Sequence, residues 1–121
     1  MSTLKSMINA AEEFAGYEPS EGDSFLDYDD YVFKGVQFHS PTYATLGLAG
    51  ETGEVVENIK KLYRKYGEDW NVNATEEKLY SIEDELGDVL WYVTRLAQVV
   101  GTNLLRVAEV NMEKLNARQG R

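Results

Sequence analysis

The chain has 121 residues, of which 43% are hydrophobic and 27% charged, a composition typical of one soluble globular domain. Twelve basic against twenty-one acidic residues give a formal net charge of −9, which disfavours binding to a nucleic acid polymer. The absence of cysteine excludes disulfides, thiolate catalysis and cysteine-ligated metals. The sequence has neither an apolar stretch long enough to span a membrane nor a signal peptide, so we expect a cytoplasmic protein without a membrane partner.

Two short helices are predicted before Pro41. Apolar residues at helical spacing predict a helix over residues 3–15, and the Gly- and Pro-containing stretch from Gly16 to Ser24 predicts a loop. A second helix is expected over roughly residues 25–38, capped by Asp23 or Ser24. Its expected buried face consists of Phe25, Tyr28, Val32 and Val36.

Three long helices are predicted after Pro41, because no further proline occurs. The first covers residues 42–66, ends at Gly67, and has an apolar stripe of Ala44, Leu48, Val55, Ile59, Leu62 and Tyr66. The second follows a polar segment over residues 68–75, where Asn73 and Glu76 resemble a capping box. Its stripe is Leu79, Ile82, Leu86, Val89, Val93, Leu96 and Val100.

The last helix is expected to be capped by Thr102 or Asn103 and to bury Leu104, Ala108, Met112 and Leu115. No segment alternates polar and apolar residues with the period of two that a strand requires. The sequence therefore predicts an all-α fold.

Two pairs of acidic residues have i,i+3 spacing: Glu51 with Glu54, and Glu85 with Asp88. On a helix such partners lie about 60° apart around the axis and about 4.5 Å apart along it, so both can meet one cation. Each pair lies on the same shoulder of its apolar stripe, so two antiparallel helices would bring four carboxylates together. Four like charges repel unless a divalent cation neutralises them, and all-oxygen ligation favours Mg²⁺ or Mn²⁺.

The simpler interpretation is that a chain with twenty-one acids places some pairs on solvated helix faces by chance. The matching shoulders favour the metal site over that alternative. Basic and amide side chains lie on similar shoulders, as an anionic phosphate ester would require: Lys61 and Lys65, then Asn111, Lys114 and Arg118. These residues could instead complement helix C-termini and the acidity of the chain.

Three motifs occur in a fixed order, with the sequences GLAGETGEVVE at 47–57, EDELGDVLWY at 83–92 and NMEKLNAR at 111–118. Lys60, Lys61 and Arg64 follow the first motif. Over about residues 25–118 the sequence resembles the MazG-type nucleotide pyrophosphohydrolases of the all-α NTP pyrophosphatase superfamily. Tyr28, within FLDYD at 25–29, is also similar to the first helix of that family.

The resemblance implies a four-helix-bundle core, here with a short extra N-terminal helix, that assembles into a homodimer or homotetramer. It also implies hydrolysis of a nucleoside triphosphate to the monophosphate and pyrophosphate, with Mg²⁺ as cofactor. The implied catalytic metal ligands are Glu51, Glu54, Glu85 and Asp88, and the implied phosphate contacts are Lys61, Asn111, Lys114 and Arg118.

The sequence departs from the family pattern at two single residues and over two segments. Gly50 stands where many members have a further Glu, and Asp29 stands where Gln is commoner. The segments are the N-terminal extension, residues 1–22, and residues 67–74. We therefore expect residues 1–121 to form a short, single-domain member of the family.

The resulting functional hypothesis is Mg²⁺-dependent attack of water on the α-phosphorus of a ribo- or deoxynucleoside triphosphate. One alternative is a di-metal carboxylate bundle for redox chemistry, which ordinarily needs two Glu-x-x-His pairs, whereas His39 is the single histidine. Another is a non-catalytic helical interaction or regulatory module. Apolar residues outside the stripes, such as Leu90 and Trp91, predict an oligomer. The base could stack on Phe38, His39, Trp70, Trp91 or Tyr92.

Overall fold

The computed structural model describes residues 24–36 and 40–120, and every regular element within these ranges is helical. The helices are α1 (Ser24–Gly35), α2 (Pro41–Tyr66), α3 (Trp70–Asn73), α4 (Glu76–Val99) and α5 (Leu104–Arg118), with a 3₁₀ turn at Gly67–Asp69. The all-α prediction is confirmed for this part of the chain. The helix predicted over residues 3–15 and the loop predicted before Ser24 lie outside the described residues. None of the described helices has the length and hydropathy needed to cross a bilayer.

Side-chain caps and one glycine set the ends of the longest helix. Ser40 accepts a hydrogen bond from the backbone N–H of Tyr43, and Pro41 occupies the first turn, where its missing N–H costs nothing. At the other end Gly67 has a φ of 77°, which a residue with a Cβ rarely adopts. The predicted end of this helix is therefore confirmed.

The capping box predicted at Asn73 was wrong. Asn73 is the last residue of the short helix α3, and Thr75 instead accepts from the backbone N–H of Lys78 to cap α4. The polar segment is helical over residues 67–73, as the 3₁₀ turn and α3, because Trp70 packs against the core cluster and its carbonyl accepts from the N–H of Ala74. Tertiary packing has thus overridden the polar composition of the segment.

Helices α2 and α4 form an antiparallel hairpin, and this hairpin positions the candidate site. Early residues of α2 meet late residues of α4: Gly47 lies against Tyr92, whereas Leu62 packs with Ile82 near the connection. The cluster at that end contains Leu62, Ala74 and Ile82, with Ile59, Tyr66, Trp70 and Leu79 packed around it. All six residues of the stripe predicted for α2 are buried or half-buried, as expected.

The stripe predicted for α4 was only partly right. Leu86 is 52% exposed and Val100 is 71% exposed, whereas Thr94, Arg95 and Ala97 are buried. Helix α1 packs against this end of α4, so a second face of α4 is covered there. Gln98 of α4 marks the contact, since its amide donates to the backbone carbonyl of Asp29 at 2.8 Å.

The last helix, α5, contacts the rest of the described chain at its N-terminal end, whereas its C-terminal half is exposed. Asn103 caps α5, as one of the two predicted alternatives, and both carboxylate oxygens of Asp29 accept from the N–H of Leu104 at 2.9 and 3.0 Å. Leu104 is buried, but every residue from 109 to 120 is exposed. The predicted burial of Met112 and Leu115 was therefore wrong within one chain, because no other described element packs against this part of α5.

Candidate active site

The four predicted carboxylates come together between the two long helices. Glu51 and Glu54 lie on α2, Glu85 and Asp88 lie on α4, and the antiparallel hairpin places the pairs opposite each other. Burial raises the pKa of the Glu51 carboxyl above its ordinary value, and the nearby charges of the other three acids raise it further. We call these four residues the carboxylate cluster.

The carboxylate cluster has a buried floor and an exposed rim. Glu51 and Glu85 are half-buried, whereas Glu54 and Asp88 are exposed. The Oε2 atoms of Glu51 and Glu85 are buried and have no hydrogen-bond partner among the described residues. Buried carboxylate oxygens without partners are costly, so this floor offers two acceptors, one from each helix, to a ligand that carries positive charge.

The donor set of the cluster fits a hard divalent cation. Within residues 24–36 and 40–120, no group of three or more acidic or histidine side chains has the arrangement needed to hold a metal ion. Like-charged carboxylates repel one another without a cation between them. Carboxylate oxygens are the ligands that Mg²⁺ and Mn²⁺ prefer, and two of those in the cluster are buried without a hydrogen-bond partner among the described residues.

One further contact of the cluster was not predicted from the sequence. The side-chain amide of Asn58 on α2 donates a hydrogen bond to Oε1 of Glu85 on α4. Asn58 follows Glu54 by four residues and Glu51 by seven, so all three share one face of α2. That helical spacing was the available signal.

Two tyrosines border the cluster. Burial, with the nearby groups of Tyr31 and Asp88, raises the pKa of Tyr28 to about 12. A hydrogen bond with Tyr43 raises the pKa of Tyr92, and burial and the charges of Glu51 and Asp88 raise it further. Both phenols are therefore neutral at physiological pH and present O–H groups rather than charges.

A cavity of about 210 Å³ adjoins the cluster through Tyr92. It opens where the end of α1 and the beginning of α2 meet the second half of α4. Its lining consists of Gly35, Val36, Ser40, Tyr43, Ala44, Trp91, Tyr92 and Arg95. Trp91 and Tyr92 pack edge to face with ring centroids 5.1 Å apart, and Arg95 is buried and donates to Gln98 at 3.1 Å.

The aromatic residues suggested as base contacts separate into three groups. Trp91 and Tyr92 line the cavity, whereas Trp70 belongs to the core cluster at the opposite end of the hairpin. Phe38 and His39 lie outside the described residues. Of the five, only Trp91 and Tyr92 are thus shown beside a space that could hold a base.

The predicted phosphate contacts form no bond to the cluster in the part of the chain that the structure describes. Lys61, Asn111, Lys114 and Arg118 are all exposed, and no ion pair or hydrogen bond in the described ranges joins any of them to it. Lys61 follows Glu54 by seven residues, about 10.5 Å along the helix axis. The other three lie on α5, beyond its single buried residue.

Over residues 24–36 and 40–120 the fold is all-helical, and an acidic site lies between two antiparallel helices. The model of the MazG nucleotide pyrophosphohydrolase domain matches residues 39–121, a range that includes the carboxylate cluster and α5. The chain belongs to the MazG nucleotide pyrophosphohydrolase family, and the resemblance seen in its sequence motifs is confirmed.

A relative from a bacterial virus supports this assignment. The Gene 37 protein of Mycobacterium phage L5 is 39% identical over 80 residues, which cover 66% of this chain and 67% of that protein. Its name states no activity. No solved structure matches the chain.

Proposed function

We propose that this protein is a divalent-cation-dependent hydrolase that converts a nucleoside triphosphate and water into the monophosphate and pyrophosphate. The observation that carries the proposal is the pair of buried, unpartnered oxygens of Glu51 and Glu85 in the floor of the carboxylate cluster. Membership in the MazG family supports the same reaction class.

The four acids of the cluster would hold Mg²⁺, or Mn²⁺ in its place. A divalent cation at this position neutralises phosphate charge and lowers the pKa of a water molecule. Glu51 and Glu85 offer the buried oxygens, whereas the exposed Glu54 and Asp88 are accessible to substrate and to solvent. A rim carboxylate is therefore the group that orients the attacking water and accepts its proton.

The expected bond changes are confined to the α-phosphorus. The water oxygen forms a bond to this atom while the bond from the same phosphorus to the bridging oxygen breaks, and pyrophosphate leaves. The neutral hydroxyls of Tyr28 and Tyr92, whose pKa values the charge of Asp88 helps to raise, would donate hydrogen bonds to the phosphates without adding negative charge.

The nucleoside part of the substrate is assigned to the cavity beside Tyr92. This ring borders both the cavity and the cluster, so a ligand could place its base in one and its phosphates at the other. Trp91 and Tyr92 offer aromatic surfaces for a base, and the Arg95 side chain contributes donors only.

The exposed half of α5 is assigned to contact with a second copy of the chain. Its apolar side chains are solvated within one chain: Val107, Val110, Met112 and Leu115. Packing α5 on a second copy would bury this surface and complete a four-helix-bundle core. It would also bring Asn111, Lys114 and Arg118 of one copy toward the cluster of the other, giving a homodimer or a dimer of dimers.

The position of attack can be tested with isotopically labelled water. Hydrolysis in H₂¹⁸O is expected to place the label on the monophosphate, because the water oxygen bonds to the α-phosphorus. Label in pyrophosphate would show attack on the β-phosphorus, and release of labelled orthophosphate would show attack on the γ-phosphorus. Either of these results would contradict the proposed reaction.

A further inference from the structure

The amide of Asn58 contacts the carboxylate cluster directly from the neighbouring turn of α2. Its Nδ2 donates to Oε1 of Glu85, a bond that crosses from one helix of the hairpin to the other. Asn58 is half-buried and belongs to neither acidic pair. Because an ionised carboxylate only accepts hydrogen bonds, the partner fixes which end of the amide faces Glu85.

The hydrogen bond constrains how the Glu85 carboxylate is oriented. The terminal torsion of a glutamate side chain is broad and has two equivalent states, so a free carboxylate exchanges its two oxygens. Here Oε1 is held by Asn58, while Oε2 is buried and has no hydrogen-bond partner among the described residues. The amide therefore keeps one named oxygen available inside the cluster.

The neutrality of the asparagine matters for the same reason. A lysine or arginine at position 58 would compensate the charge of Glu85 and compete with a bound cation. The chain does have basic residues close by, at Lys60 and Lys61, but the side chain that meets Glu85 is an uncharged donor. It orients the carboxylate and leaves the negative charge of the cluster intact.

We infer that Asn58 is a positioning residue that directs Oε2 of Glu85 toward a divalent cation, an inference that rests on the proposed function. Groups that hydrogen-bond metal ligands typically contribute about 10- to 100-fold to metal affinity. Loss of the Asn58 amide is accordingly expected to weaken Mn²⁺ binding by about tenfold or more.

The competing interpretation is purely structural, since a hydrogen bond between α2 and α4 also joins two helices. That role would change the thermal stability of the chain and leave the metal affinity of the folded protein unchanged. Metal affinity and stability must therefore be measured on the same variants.

The experiment titrates Mn²⁺ into the full chain by calorimetry, with thermal unfolding followed by circular dichroism. The variants are Asn58→Leu, which removes the donor at similar size, and Asn58→Gln, which retains an amide. The matched control is Glu57→Gln, which alters the adjacent exposed residue, whose ion-pair partner is Lys60 at 3.7 Å.

Weaker Mn²⁺ binding by Asn58→Leu, tighter binding by Asn58→Gln than by Asn58→Leu, and unchanged binding by Glu57→Gln would support the inference. If Asn58→Leu does not fold, Asn58→Ala replaces it: weaker Mn²⁺ binding by folded Asn58→Ala would support the inference, and wild-type affinity in that variant would overturn it. Wild-type Mn²⁺ affinity in folded Asn58→Leu, or an equal loss of Mn²⁺ affinity in Glu57→Gln, would overturn the inference about Asn58 but not the proposed function. Failure of the wild-type chain to bind Mn²⁺ would overturn the proposed function with it.

Discussion

The ring of Tyr92 occupies the space that a side chain at position 47 would need. A Cβ on Gly47 would overlap Cε1 of Tyr92, closer than non-bonded carbon atoms approach. Gly47 lies one helical turn before Glu51. The absence of a side chain at position 47 thus lets Tyr92 lie between the cavity and the carboxylate cluster.

Gly47→Ala is expected to displace the Tyr92 ring and to lower both stability and kcat/KM. Overpacking costs typically about 1–3 kcal/mol, which exceeds the roughly 1 kcal/mol that alanine gains over glycine within a helix. Gly53→Ala on the same helix is the matched control for stability, because its Cβ would meet nothing within 4 Å. Urea denaturation should show Gly47→Ala less stable than wild type and Gly53→Ala more stable; equal stabilisation by both would contradict this packing.

Glu54→Gln and Asp88→Asn should lose metal binding and turnover while remaining folded. Both side chains are exposed, and each substitution removes a like charge from an acidic cluster, so the free energy of unfolding should stay constant or rise. Calorimetry with Mn²⁺ and a pyrophosphate assay would measure the two losses, each expected to exceed the roughly 10- to 100-fold that follows when a group hydrogen-bonded to a metal ligand is removed. Normal affinity and normal rates in both variants would remove these residues from the site.

Lys114→Gln or Arg118→Gln should weaken triphosphate binding and leave Mn²⁺ binding intact. A charge-assisted hydrogen bond to phosphate contributes about 1.5–3 kcal/mol, which corresponds to roughly a ten- to hundredfold loss in kcat/KM. Lys34→Gln provides the control, since Lys34 is an exposed lysine on α1 paired with Asp30 at 2.7 Å. An equal loss in the control would assign the effect to overall charge.

Mixing two impaired variants tests whether Lys114 acts on the site of a second copy. In a mixed dimer, the Lys114→Gln copy has an intact carboxylate cluster and the Glu54→Gln copy has an intact Lys114. If Lys114 acts on the cluster of the other copy, one of the two sites then has both residues intact. Random reassociation should then restore roughly a quarter of the wild-type rate. Contact within one copy would leave every site with a defect, and mixing would restore nothing.

The oligomer prediction can be tested with a charge on the exposed face of α5. Leu115→Glu places a carboxylate among the apolar side chains proposed to pack on a second copy, whereas Glu113→Lys changes a charge on the side of α5 that carries none of these four residues. Sedimentation should show a dimer or tetramer for wild type and for Glu113→Lys, and a smaller species for Leu115→Glu. A wild-type species of 13.7 kDa at micromolar concentration would contradict the prediction.

Periodicity in the sequence predicts a helix and its apolar face well when one neighbour covers that face. The stripe of α2 was correct because the antiparallel partner α4 runs along its whole length, and the shoulder positions of the acids followed from the same geometry. The last helix shows where this reasoning fails. Met112 and Leu115 have core-like spacing, yet the neighbour that would bury them is absent from the described chain.

Contacts over long sequence separations escaped prediction for a related reason. The buried carboxylate of Asp29 caps α5 at Leu104, which is 75 residues away in the sequence. Asn58 orients Glu85, which is 27 residues away. Neither an aspartate nor an asparagine at these positions predicts its partner from the sequence. Only the packing of α1 and the pairing of α2 with α4 bring these groups together. The assignment of metal and phosphate contacts stays a prediction.

The most direct test of the central claim is pyrophosphate release by the wild-type chain from a panel of ribo- and deoxynucleoside triphosphates with Mg²⁺, with Mn²⁺ in parallel. We predict that at least one triphosphate yields pyrophosphate and monophosphate in equal amounts, and that Glu54→Gln abolishes the release. Absence of pyrophosphate with every triphosphate and both cations, or the same rate in Glu54→Gln, would contradict the assignment of the carboxylate cluster as a pyrophosphohydrolase site.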